Sequence, residues 1–235
     1  MTNCWGIVPA AGIGRRMDAA QAKQYLSVAG KHIIEYSIAP LLQCLTIGKI
    51  IVAVNEDDTH WQNLTIKNDP RIETCQGGAS RALSVRNALT QLKAESKVNV
   101  HDWVIIHDAV RPCLKDDDLE HLMRLTWHDP IGAILAISIS DSIKRVQRTA
   151  ERSLHVVETL ARGDLWVRAA TPQMFRYQLL CDALDNALAD GLDIDDEAVA
   201  MQHAGHEVKV ILSDNRNIKL TYQVDLENIK LYLSD

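Results

Sequence analysis

Trp5-Gly6-Ile7-Val8-Pro9-Ala10-Ala11-Gly12-Ile13-Gly14-Arg15-Arg16-Met17, with Lys23-Gln24-Tyr25 a few residues on, is the stretch whose reading decides the fold. Trp5 to Val8 is a short apolar run, the pattern of a buried first strand. Pro9 offers no N–H to a sheet ladder and so closes it. Ala10, Ala11, Gly12 and Gly14 follow, all tiny. Such a loop lets backbone N–H groups approach a ligand, and several N–H groups pointing one way cradle an anion. Arg15, Arg16 and Lys23 add fixed positive charge. A small-residue turn with cations just past the first strand of an α/β sheet reads as a phosphate site. The competing reading is a turn that only packs helix on strand.

No Gly-Lys-Ser/Thr closes the loop, so it is not a Walker A turn, and Met17 stands where a dinucleotide fingerprint needs a third small residue. A dinucleotide oxidoreductase is a weak reading for a second reason: no acid suitably follows the second strand for a ribose, unless Glu56 is pressed into service. The loop resembles instead the Pro-Ala-Ala-Gly-x-Gly-x-Arg-Met signature of sugar-nucleotide pyrophosphorylases and nucleotidyltransferases.

Working outward, apolar periodicity predicts a helix over 33–45 interrupted by Pro40, a buried strand over 49–54 and a short strand over 72–75 ending at Gly77-Gly78. An amphipathic helix starts at Ser80, a strand spans 103–106, and Asp116 can cap the helix that follows. Another buried strand covers 131–139. Strand alternating with helix calls for an α/β fold with a mainly parallel central sheet and helices on both faces. Ligands in such sheets bind beyond the strand C-termini, where the tiny-residue loop, Gly77-Gly78 and Asp108 all fall. The rhythm breaks over 141–162, a charged stretch too long for an ordinary connection, which reads either as an extended hairpin arm packing on a partner subunit or as a mobile surface loop. Helices over 177–188 and 196–203, strands over 208–212 and 218–221, and a helix over 224–233 complete the chain.

With 235 residues the chain fits one large α/β domain. A net charge of -6 argues against a nucleic-acid-binding surface, so any basic patch is local. Five cysteines without a Cys-x-x-Cys pair fit free thiols in a reducing cytoplasm. No secretory signal, transit peptide or membrane-spanning apolar run is expected. His203-Ala-Gly-His206 reads as a helix-end turn rather than a zinc site.

The residues that carry chemistry follow from position. Asp108, at a strand end opposite the phosphate loop, reads equally as an acid holding Mg²⁺ beside a triphosphate, as a cap, or as the ion-pair partner of Arg111. Arg111 can bind a phosphate with two N–H groups. Lys219 reads as a solvated lysine or, if it joins the others, as a further cation. Several cations, one acid and no nucleophile system suit phosphoryl or nucleotidyl transfer, where positioning and charge neutralisation supply the catalysis.

The chain as a whole is similar to the 2-C-methyl-D-erythritol 4-phosphate cytidylyltransferases. The resemblance is carried by 9–17, Lys23-Gln24-Tyr25, Gly77-Gly78 with Arg81 and Ser84, His107 to Pro112, Asp141 to Lys144, Thr171-Pro172-Gln173, Asp196-Glu197 and Asn217 to Thr221. It implies a Rossmann-like three-layer sandwich in which one domain, 1–235, carries a protruding β-arm, 139–163, used in dimerisation. It implies CTP and a polyol phosphate as substrates, Mg²⁺ as cofactor, a cytoplasmic homodimer, and no nucleic-acid or membrane partner. Ala10, Ala11, Gly12, Gly14, Gly78 and Ser84 are then expected to hold the nucleotide. Arg16, Lys23, Lys219 and Asp108 are expected to be catalytic, with Asp108 serving the metal. Arg111, Ser142 and Thr171 are expected to face the acceptor, with Arg162 of one protomer gripping the acceptor phosphate in the neighbour's site.

Some positions depart from that pattern. Ala79 and Ser80 replace a common acidic pair after the two glycines, Ser142 replaces a threonine, Arg216 replaces an acid, and Asp195 stands where threonine is usual. A carboxylate at Asp195 repels a substrate phosphate unless it turns away or pairs. Two rivals therefore stand beside the main expectation: transfer to another polyol phosphate such as ribitol 5-phosphate, and a non-catalytic nucleotide-binding protein.

Overall fold

The computed structural model describes residues 3–12, 22–95, 98–149, 153–160 and 165–234. In chain order the elements are β1 (Cys4–Pro9), a 3-10 turn (Lys23–Tyr25), β2 (Ser27–Val28), β3 (Lys31–His32), α1 (Ile33–Gln43), β4 (Ile47–Val54), β5 (Ile72–Gln76), α2 (Arg81–Glu95) and β6 (Trp103–Ile106). There follow α3 (Asp116–Thr126), β7 (Gly132–Ser138), β8 (Lys144–Arg148), β9 (Leu154–Thr159), β10 (Val167–Arg176), α4 (Tyr177–Ala189), α5 (Glu197–His203), β11 (Lys209–Leu212) and α6 (Gln223–Ser234).

Seven strands form one sheet in the order β11-β7-β10-β6-β1-β4-β5. All neighbours are parallel except β10, which runs antiparallel to both β6 and β7. Successive side chains on a strand point to opposite faces, and the two faces bury different helices. Val8, Ile50, Val52 and Ile105 pack with Ile34 and Ile38 of α1 and Leu119 and Leu122 of α3. Ile7, Ile51, Val104 and Ile106 pack with Val85 and Leu89 of α2, Leu184 of α4 and Met201 of α5. The expected three-layer α/β arrangement is thus present. Truncating a fully buried isoleucine such as Ile105 to Ala costs about 2–5 kcal/mol.

Three elements differ from those that the sequence predicts. β10 was not expected as a strand, because Pro172 and the polar Thr171 and Gln173 interrupt its apolar run. The register against β7 shifts between Ala169 and Gln173, so Pro172 falls in an irregular stretch where no ladder N–H is required of it. Asp116 is the first residue of α3 rather than its cap, which is Lys115; Asp116, Asp117 and Asp118 together suit the positive end of the helix dipole. Residues 218–221 form no strand; the segment is held by a 2.9 Å bond from Leu220 N–H to Val110 C=O. Pro40 lies inside α1.

Residues 144–148 and 154–159 pair as an antiparallel hairpin whose residues face solvent along both strands. Ile139 N–H bonds Trp166 C=O at its base. Among the described residues no helix is long and apolar enough to cross a membrane. His203 ends α5 and pairs with Asp190 at 2.7 Å.

Candidate active site

Three parallel strands, β1, β5 and β6, deliver their C-terminal loops to one edge of the sheet. The loop after β1 is anchored by Ala10 N–H to Ala53 C=O at 2.8 Å. Gln24, buried at 4% exposure, donates its amide N–H groups to Ala10 C=O at 2.7 Å and Gly12 C=O at 3.1 Å, stapling the loop from behind. The loop after β5 leans directly on it: a Cβ on Gly77 would lie 2.2 Å from the Cβ of Ala11, so only glycine permits this approach. Ser84 Oγ accepts from Gly78 N–H at 3.0 Å and donates to Ser80 C=O at 2.9 Å. Ser80 Oγ in turn accepts from Leu83 N–H and caps α2. The two loops enclose a cleft of about 510 Å³ lined by Ala10, Ala11, Gly12, Gly78 and Ser84 among others, within the range of small-molecule sites.

β10 brings the second wall. Gln173 lies opposite Ile106, the last residue of β6, so Thr171 reaches beyond the strand end beside His107 and Asp108. Complete burial pushes His107 down to about 4, against the opposing pull of Asp108, so the ring is neutral at physiological pH. His107 Nε2 lies 3.1 Å from Arg111 C=O, which can only accept. Nε2 therefore carries the proton, and Nδ1 accepts from the Thr171 hydroxyl at 3.0 Å. Thr171 Oγ1 then accepts from Asp108 N–H at 2.9 Å, which fixes the backbone of Asp108. Arg111 donates to Asn217 C=O at 2.8 Å and Ala169 C=O at 3.3 Å, and Asn217 donates to Thr171 C=O at 2.9 Å. Behind these lies a second cleft of about 600 Å³, lined by Arg111, Thr171, Asp195 and Asp196 among others.

The two clefts meet at four residues common to both walls: Lys23, Arg81, Asp108 and Lys219. Asp108 Oδ1 accepts from Arg81 Nε at 2.8 Å, and Oδ2 lies 2.8 Å from Lys219 Nζ and 3.5 Å from Arg111 Nε. Burial works against ionisation of Asp108, yet Arg81, Lys219 and Arg111 hold its carboxyl well below the usual carboxylate range. Lys23 Nζ donates to Leu220 C=O at 3.2 Å, which places it beside the Lys219 segment. The arrangement is cations gathered around one buried carboxylate, between two small-molecule compartments.

Comparison with known proteins decides what this arrangement belongs to. The sequence profile of the family IspD, 2-C-methyl-D-erythritol 4-phosphate cytidylyltransferase, matches residues 4–235. The chain belongs to this family. A protein of that name from Pseudomonas fluorescens is 40% identical over 227 residues, covering 97% of this chain and 94% of its own length. One from Tolumonas auensis is 41% identical over 220 residues, covering 94% of this chain and 92% of its own length. The crystal structure of the Francisella tularensis 2-C-methyl-D-erythritol 4-phosphate cytidylyltransferase superposes with a TM-score of 0.83 at 33% identity, covering 98% of this chain and all of that one.

Against the expectations for a 2-C-methyl-D-erythritol 4-phosphate cytidylyltransferase, Ala10, Ala11, Gly12, Gly78 and Ser84 line the first cleft, and Arg111 and Thr171 line the second. Lys23, Asp108 and Lys219 line both. Ser142 is exposed at the base of the arm and lines neither cleft. Gly14, Arg16 and Arg162 lie outside the described residues. The hydroxyls of Thr171 and Ser84 are already engaged within the protein, so both residues shape their cleft through backbone that they hold. The sequence singles out Glu197 only within the family resemblance and gives it no role; it is fully buried and clasped by Arg81 through two bonds of 2.6 and 3.1 Å. Sequence reasoning missed the stapling role of Gln24. A charged residue directly after a capping Asp196 was the available signal for Glu197, but its partner lies far away in sequence.

The donor set bears on the metal. Among the described residues no group of three or more His, Cys, Asp or Glu side chains is gathered to hold an ion. Both Asp108 oxygens already face cations. One carboxylate, Asp108, shared by the two clefts does not make a protein cage for a divalent ion, and would suit a Mg²⁺ that takes most of its ligands from a bound substrate and water.

Proposed function

We propose that this chain transfers CMP from CTP to 2-C-methyl-D-erythritol 4-phosphate, giving 4-diphosphocytidyl-2-C-methyl-D-erythritol and pyrophosphate, a step of isoprenoid biosynthesis. The observation that carries the reading is the meeting of two clefts at Lys23, Arg81, Asp108 and Lys219 in a chain of this family. The first cleft takes CTP, with the Ala10 to Gly12 backbone around the nucleotide. The second takes the polyol phosphate.

An oxygen of the acceptor phosphate attacks the α-phosphorus of CTP, and the bond to the β-phosphate oxygen breaks, releasing pyrophosphate. The attacking phosphate is ionised at neutral pH, so no general base is needed. Charge grows on the α-phosphate and the leaving pyrophosphate, and fixed cations stabilise it without reorganising. Lys23 and Arg16 serve the triphosphate. Lys219, at the boundary, faces both substrates, and Arg111 helps to hold the acceptor. Asp108 would hold Mg²⁺ together with triphosphate oxygens and water, and the ion would supply further charge neutralisation there.

The whole chain acts as one nucleotidyltransferase domain with 139–163 as its arm, working as a cytoplasmic homodimer. The solvent-facing Val146, Leu154 and Val156 of the hairpin support a partner-binding arm, because a lone two-stranded hairpin buries too little to be stable alone. The five free thiols suit a reducing compartment. In that dimer Arg162 would grip the acceptor phosphate of the neighbour's site.

A second reading, transfer to another polyol phosphate such as ribitol 5-phosphate, is favoured by one observation: Asp195 lines the acceptor cleft with a carboxylate. Pyrophosphate release from CTP with each acceptor run side by side separates them. Release with 2-C-methyl-D-erythritol 4-phosphate alone is the expected result. Release with ribitol 5-phosphate alone moves the enzyme to another acceptor, and CTP binding without release from either overturns the catalytic reading.

A further inference from the structure

Arg81 faces both clefts, yet three of its five N–H groups are spent inside the protein. Two clasp Glu197, at 2.6 and 3.1 Å, and Nε is left for Asp108 Oδ1 at 2.8 Å. Glu197 has no exposed surface, and its backbone is fixed by its place at the start of α5, where Asp196 caps the helix by accepting from Val199 N–H at 3.2 Å. Gln173 Oε1 accepts from Ala198 N–H at 3.0 Å, tying that helix start to β10. The carboxylate therefore cannot follow the guanidinium; the guanidinium is held by the carboxylate.

We propose that Glu197 is a positioning residue for the transfer reaction, acting through Arg81 to aim Asp108 at Lys219. The inference rests on the transfer reading above. A buried bidentate pair fixes the plane of a guanidinium, and with that plane fixed Nε can meet only one oxygen of Asp108. The other oxygen is left to Lys219. Charge works in the same direction. Glu197 compensates Arg81, so the negative charge of Asp108 is not consumed by Arg81 and continues to hold Lys219 at the boundary of the two clefts. Without the charge of Glu197, Arg81 would turn fully to Asp108, and Lys219 would lose its anchor.

The test uses the full-length enzyme and two variants that break the clasp differently. Glu197→Gln keeps the shape and removes the charge; Arg81→Lys keeps the charge and removes the fork. Each is expected to lower kcat/KM for the polyol phosphate by roughly 10- to 100-fold, as a displaced catalytic group does. The loss is expected mainly in kcat, with the KM values for CTP and acceptor changing less, because Lys219 lines both clefts and acts on the charge of the transition state. The double variant is expected to be little worse than either single one, as residues acting as a unit are. A purely structural role would lower the melting temperature and leave the kinetics of the folded enzyme unchanged. Unchanged kcat in folded Glu197→Gln, or a loss confined to KM, overturns the proposal.

A readout independent of turnover accompanies these rates. The Arg81 Nε–H resonance, followed by NMR, is expected to shift in Glu197→Gln, because the guanidinium turns to a new geometry on Asp108. If the wild type releases no pyrophosphate with any polyol phosphate, the transfer reading falls. The clasp is then judged by this signal alone: a shifted resonance in the variant upholds it, and an unmoved one refutes it.

Discussion

Lys219 Nζ stands 2.8 Å from Asp108 Oδ2, so a lysine near the C-terminus is held in place by an aspartate at the end of the central strand β6. The same aspartate also faces Arg81 and Arg111. Replacing it by asparagine leaves three cations around a neutral group. Asp108→Asn is expected to cost about 3 kcal/mol or more at pH 7, the usual penalty for breaking a buried pair from one side. Because the folded-state pKa of Asp108 is depressed, its contribution is present above the unfolded value near 3.9 and is lost as pH falls through the folded one. The gap in urea stability between wild type and variant should therefore narrow by roughly 1 kcal/mol between pH 4 and pH 3. A gap that does not change with pH would contradict the cation cluster.

His107 gives a second test of the same sign in a higher pH window. Its folded pKa of about 4 lies below the ordinary 6.5, so the unfolded chain binds the proton first. Its neutral burial costs nothing above pH 6.5, and stability falls as pH drops from 6.5 towards 4, by up to about 3 kcal/mol. The imidazole resonances of His107 should titrate near 4 in an NMR series. Titration near 6.5 would remove the tautomer that links Thr171 to Arg111.

Gly77→Ala tests the approach of the two nucleotide loops. The new methyl would meet Ala11 Cβ at 2.2 Å, and the loops must part by more than an ångström. A stability loss of about 1–3 kcal/mol is expected from the overpacking, with CTP affinity by calorimetry falling by about tenfold or more. Unchanged CTP affinity would place the nucleotide elsewhere.

Lys23→Ala and Lys219→Ala separate catalysis from folding. Both lysines line the clefts rather than the hydrophobic core, so melting temperatures should move little. Turnover should drop by about 10²- to 10³-fold in each, the scale of losing one fixed group that stabilises developing charge. Near-full activity in both would remove the boundary between the clefts from the chemistry.

Much of this was legible in the sequence, for physical reasons that differ by element. The strands at β1, β4 and β6 could be read because burial on both faces demands an unbroken apolar run. The strand β10 could not, because it lines the site with Thr171 and Gln173, and polar residues buried for function look like a loop. Lys219 was expected on a strand that is absent, yet its side chain reaches the site, since Leu220 N–H is held by Val110 C=O. The joining of Lys23, Asp108 and Lys219 followed from family resemblance and the rule that ligands gather at strand ends. The clasp between Arg81 and Glu197 followed from neither, because a side-chain pair so distant in sequence has no local signal.

The most direct measurement of the central claim is a ³¹P NMR spectrum of the enzyme with CTP, Mg²⁺ and 2-C-methyl-D-erythritol 4-phosphate. The account requires the three CTP resonances to decline together while a pyrophosphate signal and the coupled pair of a new diphosphodiester grow at equal rates. CTP that persists unchanged, or that decays to inorganic phosphate without the diphosphodiester, would contradict it.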